Sequence, residues 1–300
     1  MRQPVLRRLA VAVLAGAVAL TAAACTRRAP ALSDDPMADM PGMAHAHAPS
    51  AKATPAVAPA DPAGTGLSAS SDGYTFVPST AGLAAGAAGT FTFHVTGPDG
   101  HAVTSYQPYE SKLVQVSLIR SDLTGFRYLD AAMNQDGLWS APLPALPAGT
   151  YRAFVTFAAP DAAHGTPLRY DLSRPLTVTG PTTTPGVPST VDSTRSTVDG
   201  YAVTLSGAPR AGRQAPLTVT VAKDGHPVES FNRYLDGYAH LTAFRAGDLA
   251  RARIDSAAAI GQGGELTARA TFPESGSWRV FAQFDQGGAV RTAEFTLTVS

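Results

Sequence analysis

Cysteine is all but absent: the chain of 300 residues has one, Cys25. A lone thiol excludes an internal disulfide, a Cys-based zinc cluster and a paired redox motif. Lysine is nearly as scarce, with three residues, and only 15% of the chain is charged. Basic and acidic residues balance at 23 each, so there is no cationic footprint for phosphates and nucleic acid is excluded as a partner. The signatures of catalysis are missing as well. No G-x-S-x-G, no H-E-x-x-H and no phosphate-cradling glycine loop occurs, and the seven histidines keep no recognisable spacing to a serine–acid pair. The sequence reads as non-catalytic, with no catalytic residue to nominate.

An apolar run long enough to span a bilayer, ~20 residues, is also lacking. The N-terminus carries something shorter. Arg2, Arg7 and Arg8 form a basic head, Leu9 to Leu20 is uncharged and apolar, and Thr21, Ala22, Ala23 and Ala24 lead into Cys25. That is the layout of a secretory signal, and Leu20-Thr-Ala-Ala-Ala-Cys25 resembles a bacterial lipobox. The expectation is a signal peptide over residues 1–24 and a lipid on Cys25. The protein would then be exported and membrane-anchored on the outer face of the cytoplasmic membrane. Three basic residues leave with the signal, so the mature chain has a net charge of −3, 20 basic against 23 acidic residues.

From Thr26 to about Ser70 the composition is Ala, Pro, Gly, Ser and Asp, which cannot bury enough surface to offset ordering entropy. Residues 25–70 are expected to be a disordered tether with a reach of ~40 Å. Within it Met37, Met40 and Met43 recur every third residue, followed by His45 and His47, with Asp34, Asp35 and Asp39 alongside. Soft thioethers beside imidazoles suit Cu(I), and imidazole with carboxylate suits Cu(II). These five Met and His residues are the candidate metal ligands and copper the candidate cofactor; a low-complexity tail of drifted composition is the plainer reading.

The rest of the chain is duplicated. Asp72-Gly-Tyr74 recurs as Asp199-Gly-Tyr201, Ser121-Asp-Leu123 as Gly247-Asp-Leu249, and Gly149-Thr-Tyr-Arg-Ala-Phe154 as Gly276-Ser-Trp-Arg-Val-Phe281. Each copy has the period-two pattern of half-buried strands: Phe91, Phe93 and Val95 alternate with Thr92 and His94, and Tyr151, Ala153, Val155 and Phe157 form a second inward row. The fold class expected is all-β, two tandem immunoglobulin-like β-sandwiches over 71–180 and 198–300, joined by a Pro/Thr linker over 181–197.

On the motifs Arg-Ser-Asp-Leu-Thr-Gly-Phe126, Pro-Ala-Gly-Thr-Tyr-Arg-Ala-Phe154, Gly-Tyr-Ala-His-Leu241 and Arg-Ala-Gly-Asp-Leu249, residues 71–300 resemble a family of two-domain secreted actinobacterial lipoproteins. The resemblance implies a metal site: members carry His-Glu-Lys-x-x-His and His-x-His-Pro in the first domain, and Gly-His-Leu and another His-x-His-Pro in the second. This chain departs from that pattern. Glu110 and Gln115 take the first pair of positions, Tyr128 and Asp130 the next two, and Arg253 and Asp255 stand for histidines in the second domain; His240 alone is retained. Such replacements remove nitrogen ligands, so the site is expected to be degenerate. Two functions follow as expectations: a lipid-anchored protein binding or sensing copper or another metal through its Met/His tether, or an immunoglobulin-like module for a protein or cell-wall partner with no metal role.

Overall fold

The computed structural model describes residues 62–79, 82–160, 167–181 and 193–300. The chain divides into two units, Met1–Thr54 and Pro55–Ser300, and all described residues lie in the second. Cys25 and the candidate ligands Met37, Met40, Met43, His45 and His47 lie outside the described residues.

Sandwich 1 is built from β1 (Ser70–Ser71), β2 (Tyr74–Pro78), β3 (Leu83–Ala84), β4 (Gly89–Thr96) and β5 (Val114–Arg120), followed by β6 (Arg127–Leu129), β7 (Ala132–Met133), β8 (Trp139–Leu143), β9 (Gly149–Pro160) and β10 (Pro167–Thr179). One sheet runs β1-β2-β4-β8-β7 and the other β3-β10-β9-β5-β6. Every pairing is antiparallel except β3 with β10. Sandwich 2 repeats the plan with β11 (Arg195–Val198), β12 (Tyr201–Ser206), β13 (Gln214–Lys223), β14 (His226–Pro227) and β15 (His240–Arg245), then β16 (Arg253–Asp255), β17 (Leu266–Thr271), β18 (Gly276–Gln286) and β19 (Ala289–Val299). Its sheets are β11-β12-β13-β17-β16 and β15-β18-β19. Both copies therefore have the A-B-E-D sheet and G-F-C sheet of the immunoglobulin fold.

The alternation in the sequence places the core as expected. Phe91, Phe93 and Val95 are buried while Thr92 and His94 are half-exposed. Each sandwich closes around its own apolar cluster, with Trp139, Tyr151 and Phe157 in the first and Trp278, Phe272 and Phe284 in the second. Asp72-Gly73 and its counterpart Asp199-Gly200 both sit at positive φ, the two-residue turn whose twist matches the strands it joins. At the start of β9, Tyr151 Oη donates to Pro147 O at 3.1 Å. The counterpart Trp278 Nε1 donates to Glu274 O at 3.2 Å, so both copies keep the corner that ties the sixth main strand to its loop.

Two boundaries differ from those the composition suggests. The tether assignment runs to Ser70, yet Pro62–Thr65 is a 3-10 turn and Leu67 packs on the sandwich 2 core. The backbone explains it: Arg251 N donates to Thr65 O at 2.7 Å, and Ser173 Oγ to Gly66 O at 2.6 Å. The linker assignment runs to residue 197, yet β11 begins at Arg195, and Ser193 already bridges Thr296 across the edge of β19.

Strand β5 is buried at every position, as is β15 up to Phe244. One face of each is the sandwich core. The other is the contact between the two sandwiches, made by Ile119, Leu123, Phe126 and Phe154 from the first and Phe244, Leu249 and Phe281 from the second. Phe126 and Phe281 stack with ring centres 4.5 Å apart. Each fully buried phenylalanine of this layer is worth about 2–3 kcal/mol of transfer free energy.

Candidate functional site

Beside the aromatic half of this layer lies a polar half, and four of the family-like positions meet there. Glu110 sits in a tight turn in which Tyr109 and Lys112 exchange backbone hydrogen bonds at 2.8 and 3.0 Å. Glu110 and Ser111 both adopt positive φ, 46° and 61°. Neither is glycine, so each position costs about 1–2 kcal/mol and persists because the surroundings hold it. What holds Glu110 is its carboxylate. Gln115 Nε2 donates to Oε2 at 2.8 Å, and Ser256 of the other sandwich donates to Oε1 through its hydroxyl at 2.8 Å and its backbone N–H at 3.2 Å. His240 Nδ1 lies 3.5 Å from Oε2. The ring of Tyr128 closes the cluster edge-on to His240 at 5.8 Å, and its hydroxyl has no hydrogen-bond partner among the described residues.

Burial opposes ionisation of Glu110, but the His240 ring and the donors on Gln115 and Ser256 outweigh it and hold the carboxyl down at about 2. Tyr128 moves the other way, raised by burial and then by the charges of Tyr234, Asp130 and Glu110. For a carboxyl depressed in the folded state, the stabilisation is complete above its unfolded value near 4.5 and is lost as pH falls towards about 2. The melting temperature should therefore fall on acidification between about pH 4.5 and 2, and Glu110→Gln should flatten part of that fall. Thermal melts of the two proteins from pH 7 to pH 2.5 check this (~3 kcal/mol at most); parallel curves would refute it.

A second polar group lies in the same layer. Asp171 on β10 accepts from Arg169 at 3.0 Å (to Oδ1), with Arg169 Nε 2.9 Å from its other oxygen. Arg251 of sandwich 2 reaches Asp171 at 3.3 Å and donates to Thr156 Oγ1 at 2.5 Å, and Thr156 in turn donates to Asp171 at 2.5 Å. Arg169 also donates to Tyr109 Oη at 3.0 Å. Against the penalty of burial, Arg169 and then Arg251 hold the Asp171 carboxyl below the usual carboxylate range. None of Asp171, Arg251, Thr156 and Ser256 carries a motif. Their sequence signal is indirect: the non-core faces of β5, β9 and β15 carry Ile119, Phe154 and Phe244, unusual for a face left in water.

Three family-like positions lie elsewhere. Asp130 is exposed and paired with Lys112 at 2.7 Å. Arg253 and Asp255 belong to the opposite sheet of sandwich 2. The reason is a change of partner: Arg127–Leu129 pairs with β5 of the G-F-C sheet, whereas Arg253–Asp255 pairs with β17 of the A-B-E-D sheet. The same spacing from a buried anchor, Leu129 or Ile254, then sends Tyr128 into the layer and Arg253 out to solvent. The assembled donors do not fit a soft or borderline metal. The Glu110 carboxylate is taken up by Gln115, Ser256 and His240, and no group of three or more His, Cys, Asp or Glu in metal-holding geometry occurs among the described residues.

Contacts across the layer are reciprocal. Ser111 donates to Asp236, its own counterpart in the duplication. Phe154 and Phe281 are counterparts and share one cluster. Such self-matching is the mark of a two-fold, isologous contact, here between two copies in one chain.

Residues 196–300, the second sandwich, match a family model described as "Domain of unknown function (DUF8832)". No curated protein matches the chain. Among solved structures, similar folds include the FdeC adhesin of Escherichia coli, at 16% identity and TM-score 0.26 over 77% of this chain and 65% of that one. The adhesin InvE of Yersinia pseudotuberculosis follows at 14% and 0.22, over 77% and 60%. Invasin, a bacterial integrin-binding protein, gives 13% and 0.23, over 78% and 41%. The chain spans less than two thirds of the length of each. At such scores these likenesses carry no argument about function, and the immunoglobulin-like assignment stands on the strand order above.

Proposed function

We propose that this protein is an exported, lipid-anchored and non-catalytic binding module, in which two immunoglobulin-like sandwiches are held as one body on a tether from Cys25 for a protein or cell-wall partner. One observation carries the reading. The ionisable groups that could have formed an open site, Glu110, His240, Asp171 and Arg251, are spent on one another between the sandwiches. Chemistry needs such groups free to meet a substrate. What faces solvent is the outer surface of the two A-B-E-D sheets, polar and rich in threonine, with Thr90 on one and Thr204, Thr218 and Thr267 on the other. Fold alone supplies no partner.

The test has two arms in cells and one in vitro. Cys25→Ser should release the protein from the membrane fraction into the medium. Purified full-length protein should sediment with isolated cell walls or cross-link to a surface protein on intact cells. Failure of both, together with retention of the Cys25→Ser protein in the membrane, would overturn the reading. A metal-handling function is favoured by the Met37, Met40, Met43, His45 and His47 cluster alone. Copper titration of the full-length chain beside a variant lacking residues 34–48 decides it; absence of binding at micromolar metal removes copper from the account.

A further inference from the structure

The early sheet change that takes Arg253 out of the inter-sandwich layer leaves a concavity of about 310 Å³ on the outer face of sandwich 2, lined by Gln214, Arg253, Asp255, Arg269 and Thr271. The ladder explains the grouping. In register, Arg253 lies opposite Thr271 and Asp255 opposite Arg269, while Gln214 flanks Thr271 from β13. Side chains of directly opposed residues share a face, so donors and acceptor converge there. Neither guanidinium has a hydrogen bond or ion pair with a described residue, and Asp255 bonds to neither although it stands beside them. The fold does not impose this arrangement. The counterparts of Arg253 and Arg269 in sandwich 1 are Tyr128, on β6 of the other sheet, and Pro142 on β8, so the pair of guanidinium groups does not recur.

We propose that this concavity binds an anionic group on a hydroxyl-bearing ligand: a carboxylated or phosphorylated polyhydroxyl polymer. Two guanidinium groups on one face match the oxygens of a carboxylate or phosphate in paired, charge-assisted hydrogen bonds. Asp255 would repel a bare anion, but it accepts from the neighbouring hydroxyls of a sugar or polyol, while Gln214 and Thr271 both donate and accept. The combination selects acidic saccharides and polyol phosphates over neutral glycans and over inorganic anions. This deepens the binding-module reading and rests on it, since it names the ligand chemistry of one of its free faces.

The experiment titrates the full-length chain with glucuronic-acid oligosaccharides, with glycerol-phosphate oligomers and with a neutral glucan, following backbone amide shifts. One acidic ligand should shift the amides of Arg253–Asp255 and Leu266–Thr271, more weakly as salt rises, and the glucan should not; which of the two binds identifies the source. The R253A/R269A variant should lose about tenfold or more in affinity with an unchanged melting curve, as expected when bonds to charged groups are removed from an exposed face. R195A, an exposed arginine of β11, should bind as the parent does. Silence of both acidic ligands at millimolar concentration, or undiminished binding by R253A/R269A, overturns the site. A chain that still sediments with cell walls after that result leaves the module reading intact, so the two failures are told apart.

Discussion

Asp171→Ala should destabilise the protein by about 3–5 kcal/mol, read from urea unfolding followed by intrinsic fluorescence. Asp171 is the only carboxylate within ion-pair reach of Arg169 and Arg251 among the described residues, and the two arginine side chains are 12% and 7% accessible. Removing it leaves two buried guanidinium groups facing each other with no counter-charge, and Thr156 loses its acceptor. Burying an unpaired charge is the expensive step. Replacing a whole buried ionic group by apolar residues is often neutral, because the desolvation penalty goes with the charges. The triple variant R169M/D171L/R251M should therefore recover most of what Asp171→Ala loses. Asp171→Asn, which keeps shape and one acceptor but not the charge, should fall between the two. A loss below about 1 kcal/mol for Asp171→Ala would mean that water reaches these arginines and that the group is a surface network.

The architecture was legible because its signals are local. Period-two alternation in β4 and β9 and the Asp-Gly turns before Tyr74 and Tyr201 each need only a few adjacent residues, and the duplication doubled every one of them. The inter-sandwich layer was not legible, for three physical reasons. Phe154 and Phe281 break the alternation of their strands only mildly, and an isolated outward phenylalanine is ordinary on a protein surface. Glu110 reaches Ser256 only because Glu110 and Ser111 take a left-handed turn that their residue types disfavour, so no turn signal announces it. The different fates of Tyr128 and Arg253 depend on which sheet the segment after the third main strand joins. Pairing of that kind is decided by tertiary packing and leaves little trace in spacing. Residues 62–69 were hidden similarly: a Pro/Ala/Gly segment carries few apolar side chains, and it is ordered here through backbone bonds to Arg251 and Ser173 and by Leu67.

Phe281→Ala offers the sharpest reading of whether the two sandwiches act as one body. Phe281 is fully buried, stacks on Phe126 of the other sandwich and packs edge-on to Phe244 at 6.2 Å. Truncating a buried phenylalanine costs about 3–5 kcal/mol when the cavity cannot collapse. Three residues along the same strand Phe284 is equally buried, but it points into the core of sandwich 2, against Phe231 and Tyr201. The pleat separates the two phenylalanines by face. Phe284→Ala should lower the stability of sandwich 2 by a similar amount. Phe281→Ala should instead remove the contact that couples the sandwiches, so calorimetry should resolve two transitions where the parent shows one. The same variant should speed hydrogen exchange at Thr156, His240 and Thr242, whose burial depends on the layer staying shut. If Phe281→Ala gives the same single, lowered transition as Phe284→Ala, the sandwiches stay coupled without Phe281; if the parent already shows two transitions, they are independent modules and the rigid pair on which the binding-module reading relies would have to be given up.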